Sequence, residues 1–251
     1  MILLLDVGNS RVKWGTLEDG ALTHRGVTAH DKDNLRSLVG NDLGENPAPD
    51  RIIVANVAGK KFSDAFDQST EAAWGIKAEY VVPARSAFGV INAYHEPERL
   101  GVDRWAAMIA ARHAYKGALC VVDCGTALTL DVLAANGQHL GGLIIPGLAM
   151  MQSSLLEQTT GISINMESLP GDTSAVLPAD THDAVHTGAL YASIATIDRV
   201  TEDMMDALGT EMTGVISGGA VPQLLPLLKK NFIHEPDLVL KGLAVIAGTA
   251  P

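Results

Sequence analysis

Short apolar runs that stop at glycine-containing turns dominate the start of the chain. Residues 2–5 are wholly apolar and run into Asp6-Val7-Gly8-Asn9, the pattern of a buried strand followed by a turn. Residues 12–17 read as a second strand, Glu18-Asp19-Gly20 as a hairpin turn and residues 21–27 as a third strand. A polar stretch over 40–50, with Pro47 and Pro49, reads as a loop. Strands are expected at 52–57 and 79–82, with a helix over 60–74 between them. A helix over 103–116 stops at Gly117. Residues 119–123 form another apolar strand, and 128–133 a further one, which ends in the turn Ala134-Ala135-Asn136-Gly137. A strand at 143–145 ends in Pro146-Gly147, and 148–158 reads as a helix. One long helix is expected from Asp183 to about Leu208. Val215-Ile216 lead into Ser217-Gly218-Gly219, with helices beyond them at 222–230 and 239–246.

The pattern contains a repeat. Leu4-Leu5-Asp6-Val7-Gly8-Asn9-Ser10 aligns with Val121-Val122-Asp123-Cys124-Gly125-Thr126-Ala127, so that Asp and Gly coincide at an offset of 117 residues. The same offset carries Gly20 onto Gly137. One unit of strand, Asp-x-Gly turn, strand and glycine turn thus opens each half, which predicts an α/β chain of two halves, 1–117 and 118–251, related by duplication. Asp and Gly are common turn residues, so two unrelated strand–turn pairs would also produce the match.

Composition narrows the function. The chain has 251 residues, enough for one large domain or two small ones, and 47% of them are hydrophobic. Aromatics are only 4%, so the core rests on aliphatic side chains. The formal charge is −11, and the 18 Lys and Arg form no basic run, which argues against a nucleic-acid partner. No apolar run reaches the ~20 residues that span a bilayer, and Asp6 interrupts the apolar start, so neither a membrane span nor a signal peptide is expected. Cys120 and Cys124, four apart on one strand, would sit about 13 Å apart, too far for a disulfide. They read as small apolar side chains of a reduced, cytoplasmic protein.

The two Asp-x-Gly turns carry the chemistry. A strand places each Asp rigidly at its carboxyl end, and the glycine after it lets backbone N–H groups approach a ligand. Two such turns could hold a triphosphate and its Mg²⁺. The carboxylates repel phosphate, so their partners would be cations or metal-bound water. Lys13 could reach phosphate oxygens as a point charge. No P-loop occurs, and no two glycines lie two apart, which excludes a dinucleotide fingerprint.

At these residues the chain resembles the actin/hexokinase/Hsp70 type of ATPase and, more closely, type III pantothenate kinase. Asp6-Val7-Gly8-Asn9-Ser10-Arg11-Val12-Lys13 matches the family pattern D-x-G-N-S-x-x-K, and Gly101-Val102-Asp103-Arg104 matches G-x-D-R. Asp123-Cys124-Gly125-Thr126-Ala127-Leu128-Thr129-Leu130-Asp131 matches D-x-G-T-A-x-T-x-D, followed by Gly141-Gly142 and Pro146-Gly147. Thr181, Ala184 and Gly188 fit T-x-x-A-x-x-x-G. Ser217-Gly218-Gly219 stands where Thr-Gly-Gly is expected near the adenosine; serine keeps the hydroxyl.

The resemblance implies two ribonuclease-H-like (actin-like) halves, mixed sheets flanked by helices, with a cleft between them. It implies ATP-dependent phosphorylation of pantothenate, the first step of coenzyme A synthesis. Asp103 would be the general base. Residues 6–13, Thr126, Gly218 and Gly219 would bind ATP, and Tyr94, Gly101, Val102, Asp103, Arg104 and Thr181 would bind pantothenate. Asp6 would organise Mg²⁺, and Asp123 would bind a monovalent cation, K⁺ or NH₄⁺. A homodimer is also implied.

Plainer readings stand beside these. Asp103 could be a helix cap, Arg104 a surface helix residue and Asp131 the anchor of a strand end. His182 and His186, four apart, read as surface residues, since two histidines without a third ligand rarely hold a metal. The same turns would also serve another small-molecule kinase, or a non-catalytic nucleotide-responsive accessory protein.

Overall fold

A computed structural model describes residues 1–29, 48–158 and 177–248. The expected loop at 40–50 falls largely outside the described residues. Contacts divide the chain into two compact units: Met1–Lys116 with Ala135–His139 and Asp237–Pro251, and Gly117–Ala134 with Leu140–Pro236. The division is interleaved, since the C-terminal segment and the short stretch before residue 140 group with the N-terminal unit.

The first unit is built on β1 (Ile2–Val7), β2 (Arg11–Glu18), β3 (Ala21–Ala29), β4 (Arg51–Asn56) and β5 (Glu79–Tyr80), in the order β3-β2-β1-β4-β5. β1 pairs antiparallel with β2 and parallel with β4. Leu3, Leu4, Leu5 and Val7 are all buried, which is why this central strand reads as a continuous apolar run. Asp19 and Gly20 both take positive φ, as a two-residue hairpin turn requires. Helix α1 (Lys60–Trp74) lays Phe62 and Phe66 on one face of the sheet, against Leu3, Leu5, Ile52 and Val54. Helix α2 (Val102–Ala114) packs against the C-terminal helix Leu238–Ile246, and these two also contact β4 and β1. A small hairpin, β6 (Ser86–Ala87) and β7 (Val90–Ile91), had no signal at the sequence level. Its strands are too short to show a period.

The contact between the two helices is close. A Cβ on Gly242 would run into the Ala106 carbonyl. Gly242→Ala is therefore expected to lower stability by about 2 kcal/mol or more, read from a urea midpoint. A variant as stable as the parent would mean that the helices do not approach this closely.

The second unit repeats the plan. Strands β8 (Ala118–Cys124), β9 (Ala127–Leu133), β10 (His139–Pro146), β11 (Met212–Ser217) and β12 (Phe232–His234) lie in the order β10-β9-β8-β11-β12. β8 pairs antiparallel with β9 and parallel with β11, as β1 does with β2 and β4. Gly137 takes a positive φ, as Gly20 does. The two sheets thus share strand order and pairing, the signature of the duplication read from the sequence. Helices α3 (Leu148–Gln158) and α4 (Thr181–Leu208) belong to this unit. Its core gathers Cys120, Val122, Leu128, Leu130, Ile197 and Ile216.

The helix expected at 222–230 is cut short. Residues Val221–Leu224 form α5, a 3₁₀ turn follows at Leu225–Leu227, and the chain then extends into β12. Pro226 has no N–H to continue the ladder, and its ring crowds the preceding turn. The C-terminal helix Leu238–Ile246 is α6.

Cys120 and Cys124 are buried and free, and burial pushes both thiols up to about 12. No helix among the described residues is long and apolar enough to cross a membrane.

Candidate active site

In the first unit, β1 and β2 present the first Asp-x-Gly turn. Val7 and Val12 are cross-strand partners, both buried, and they anchor the turn in the core. Gly8 N–H donates to the Arg11 carbonyl at 2.9 Å and closes it. Asn9, Ser10 and Arg11 are left exposed at the tip. Asp6 and Lys13 are direct partners across the pair, so their side chains share one face of the sheet. That register places a carboxylate and an ammonium beside one backbone turn.

Helix α2 opens on the G-x-D-R element. Its N-cap is Gly101, with Asp103 inside the first turn, so the capping role considered for Asp103 is not met. The Asp103 Oδ1 instead accepts the Arg104 N–H at 2.8 Å. A Cβ on Gly101 would sit 2.6 Å from that same oxygen, so glycine makes room for the carboxylate. The helix dipole favours its ionised form.

Arg104 is not a surface residue, being only 4% exposed. Its Nη1 donates to the Tyr94 hydroxyl at 3.0 Å, and its guanidinium carbon lies 5.9 Å from the centroid of that ring. The segment around Tyr94 is itself tied down. Arg85 donates to the carbonyls of Tyr94 and His95 at 2.7 and 2.6 Å. Buried Asn92 accepts the Tyr94 N–H at 3.0 Å and donates to the Ala84 and Pro97 carbonyls. The structure thus brings Tyr94, Asp103 and Arg104 into one cluster. Arg85 and Asn92 were missed from sequence, where nothing distinguishes them from ordinary loop residues.

In the second unit, three glycine-bearing turns converge on residues 123–126, at the carboxyl end of β8. Gly125 N–H donates to the Ala127 carbonyl at 3.1 Å, closing the second Asp-x-Gly turn. Gly147 N–H donates to the Thr126 carbonyl at 3.0 Å, and a Cβ on Gly147 would collide with the Gly125 and Thr126 carbonyls. Gly218 has φ +104, with Cys124 backbone 2.5 Å from its missing Cβ and the Asp123 Oδ1 at 2.6 Å. Ala220 N–H donates to the Cys124 carbonyl at 3.1 Å. Ser217 is the parallel-strand partner of Asp123, and Gly219 follows in the same turn.

This hairpin is one residue tighter than its counterpart. Cys124 pairs with Leu128, whereas Val7 pairs with Val12. Thr129, not a lysine, therefore stands opposite Asp123. Asp131 is not a strand end: it lies inside β9 opposite Val121 and is buried.

Thr181 is the exposed first residue of α4, capped by Asp180, whose Oδ1 accepts the Asp183 N–H at 2.9 Å. The expected start at Asp183 is thus two residues late. His182 and His186 are not plain surface residues. His182 lies 3.1 Å from Asp183, and His186 shares a 2.9 Å hydrogen bond with Gln152. Burial, aided by His182, pulls the pKa of His186 down. Donor atoms of Asp180, His182 and Asp183 lie within 4.8 Å of one another, but the cap and the His–Asp contact account for them.

Solved structures place the fold. A Campylobacter jejuni protein described as a Baf family transcriptional activator superposes with a TM-score of 0.58 at 20% identity, covering 98% of this chain and 97% of that one. A glucokinase from an Antarctic psychrotroph gives 0.50 at 12% identity, covering 98% of each. With its twin mixed sheets and Asp-x-Gly turns, the chain has the fold of the actin/hexokinase-like class.

The family is narrower. The model of type III pantothenate kinase matches residues 2–203. A type III pantothenate kinase of Nitrosococcus oceani is 43% identical over 98% of this chain and 94% of its own length. One from Alcanivorax borkumensis is 36% identical over 98% of each. The chain belongs to the type III pantothenate kinase family.

Proposed function

We propose that this chain transfers the γ-phosphoryl group of ATP to the primary alcohol of pantothenate, giving ADP and 4′-phosphopantothenate. The Tyr94–Asp103–Arg104 cluster carries the reading: it joins a carboxylate held at a helix start to a buried guanidinium suited to an anionic acceptor. Arg104 grips the pantothenate carboxylate, while Tyr94 and Thr181 supply hydroxyls. Asp103 orients the alcohol and receives its proton as the new O–P bond forms and the bond to the ADP oxygen breaks. A loose transition state demands positioning of the alcohol more than its early deprotonation.

The exposed turn residues 9–11, with Lys13, Thr126 and the Gly218-Gly219 turn, bind the nucleotide. Asp6, a hard oxygen donor beside Lys13, fits the magnesium that accompanies ATP. That ion neutralises charge on the phosphates. Asp123 offers a hard carboxylate beside the Gly125 and Gly218 turns, a donor that suits a monovalent cation such as K⁺ or NH₄⁺. The protein works in the cytoplasm as a homodimer; exposed Leu143 and Ile144 on edge strand β10 support the association.

ADP release coupled to a dye tests this directly, with pantothenate, glucosamine or acetate as acceptor, with and without potassium. Turnover is expected with pantothenate and with neither alternative, and potassium stimulates it. Turnover of acetate or glucosamine but not pantothenate would overturn the assignment. Indifference to potassium would remove the role given to Asp123.

A further inference from the structure

His139 is buried to 1% exposure, yet neither the repeat nor the turn motifs single it out. It begins β10 and groups with the first unit, where it meets the acceptor cluster. Its ring lies nearly parallel to that of Tyr94, at an interplanar angle of 10° with centroids 6.3 Å apart, an offset stack. Its Nδ1 stands 3.5 Å from the Ala93 N–H. An amide N–H can only donate, so Nδ1 accepts and the proton of a neutral ring sits on Nε2. At 3.5 Å that bond is at the weak limit, so the flat ring carries most of the contact.

The backbone around Tyr94 has other restraints. Asn92 holds the Tyr94 N–H, and Arg85 holds the Tyr94 and His95 carbonyls. These fix the main chain but leave the ring free to turn about its side-chain bonds. Among the described residues, two contacts bear on the ring itself: the stack with His139 and the guanidinium of Arg104. The orientation of the Tyr94 hydroxyl, and with it the Arg104 contact, thus depends on His139.

We infer that His139 is a positioning residue for the acceptor site, setting the Tyr94 ring so that its hydroxyl and Arg104 meet the substrate together. The inference rests on the acceptor role proposed above for Tyr94 and Arg104. Because those two residues serve the acceptor, the effect falls on one substrate.

A double-mutant cycle tests it. His139→Leu fills the space without a flat ring; His139→Phe keeps the ring and drops the acceptor. His139→Leu is expected to raise KM for pantothenate about tenfold, with KM for ATP unchanged. His139→Phe stays within about twofold of the parent. In a Tyr94→Leu background, adding His139→Leu has no further effect, because the ring it positions is gone. Equal behaviour of the Leu and Phe variants, multiplication of effects in the double variant, or a matching rise in KM for ATP would each overturn the inference. Parent turnover separates the two proposals: if another acceptor is used instead of pantothenate, the function falls, and the same cycle is read on that acceptor's KM.

Discussion

Asp103→Asn lowers kcat for pantothenate phosphorylation about 10³-fold and leaves ATP affinity unchanged, as measured by initial rates and calorimetric titration. The two side chains have the same shape, and the amide oxygen still accepts the Arg104 N–H that now meets Oδ1. What is lost is a negative charge able to orient the alcohol and take its proton. Loss of that charge from the first turn of α2 costs only about 0.5 kcal/mol of stability, so unfolding cannot explain the defect. Gly101→Ala makes a companion. Its backbone φ is ordinary, but the added Cβ forces the Asp103 carboxylate aside, so kcat falls while the fold persists. Turnover by the Asp103→Asn variant near the parent level would remove Asp103 from the chemistry.

The parts of this site that were legible in the sequence are those where backbone and chemistry coincide. Asp6 and Asp123 end apolar runs and precede glycines, so strand, turn and carboxylate announce one another. The duplication was legible for the same reason, and shared strand order in the two sheets matches it. The acceptor cluster was legible only through resemblance. Nothing in the spacing of Arg104 indicates burial; a guanidinium on a helix is ordinarily solvated, and here it is tertiary packing that encloses it. His139 was illegible because its partner Tyr94 lies 45 residues away and stacking leaves no periodic trace. The over-long helix at 222–230 failed on a local rule: the apolar run outweighed Pro226.

Gly218→Ala is the sharpest test of the second turn. Two separate costs meet at this residue. Its φ of +104 lies where a side chain strains the backbone, and its missing Cβ would fall 2.5 Å from the Cys124 carbonyl carbon. Gly209 separates these costs. It has φ +62 at the end of α4 with open space around it, so Gly209→Ala suffers only the conformational penalty, about 1 kcal/mol. Gly218→Ala should cost about 3 kcal/mol or more, since main chain cannot rotate away as a side chain can. The backbone must part, which breaks the Ala220 N–H bond to the Cys124 carbonyl and displaces the Asp123 carboxylate 2.6 Å from the new carbon. Weaker ATP binding, by at least about tenfold, and loss of potassium stimulation should therefore appear together. Gly209→Ala should show neither. If Gly218→Ala binds ATP as tightly as Gly209→Ala and still responds to potassium, then the Ser217-Gly218-Gly219 turn is a structural neighbour of Asp123 and takes no part in holding the nucleotide.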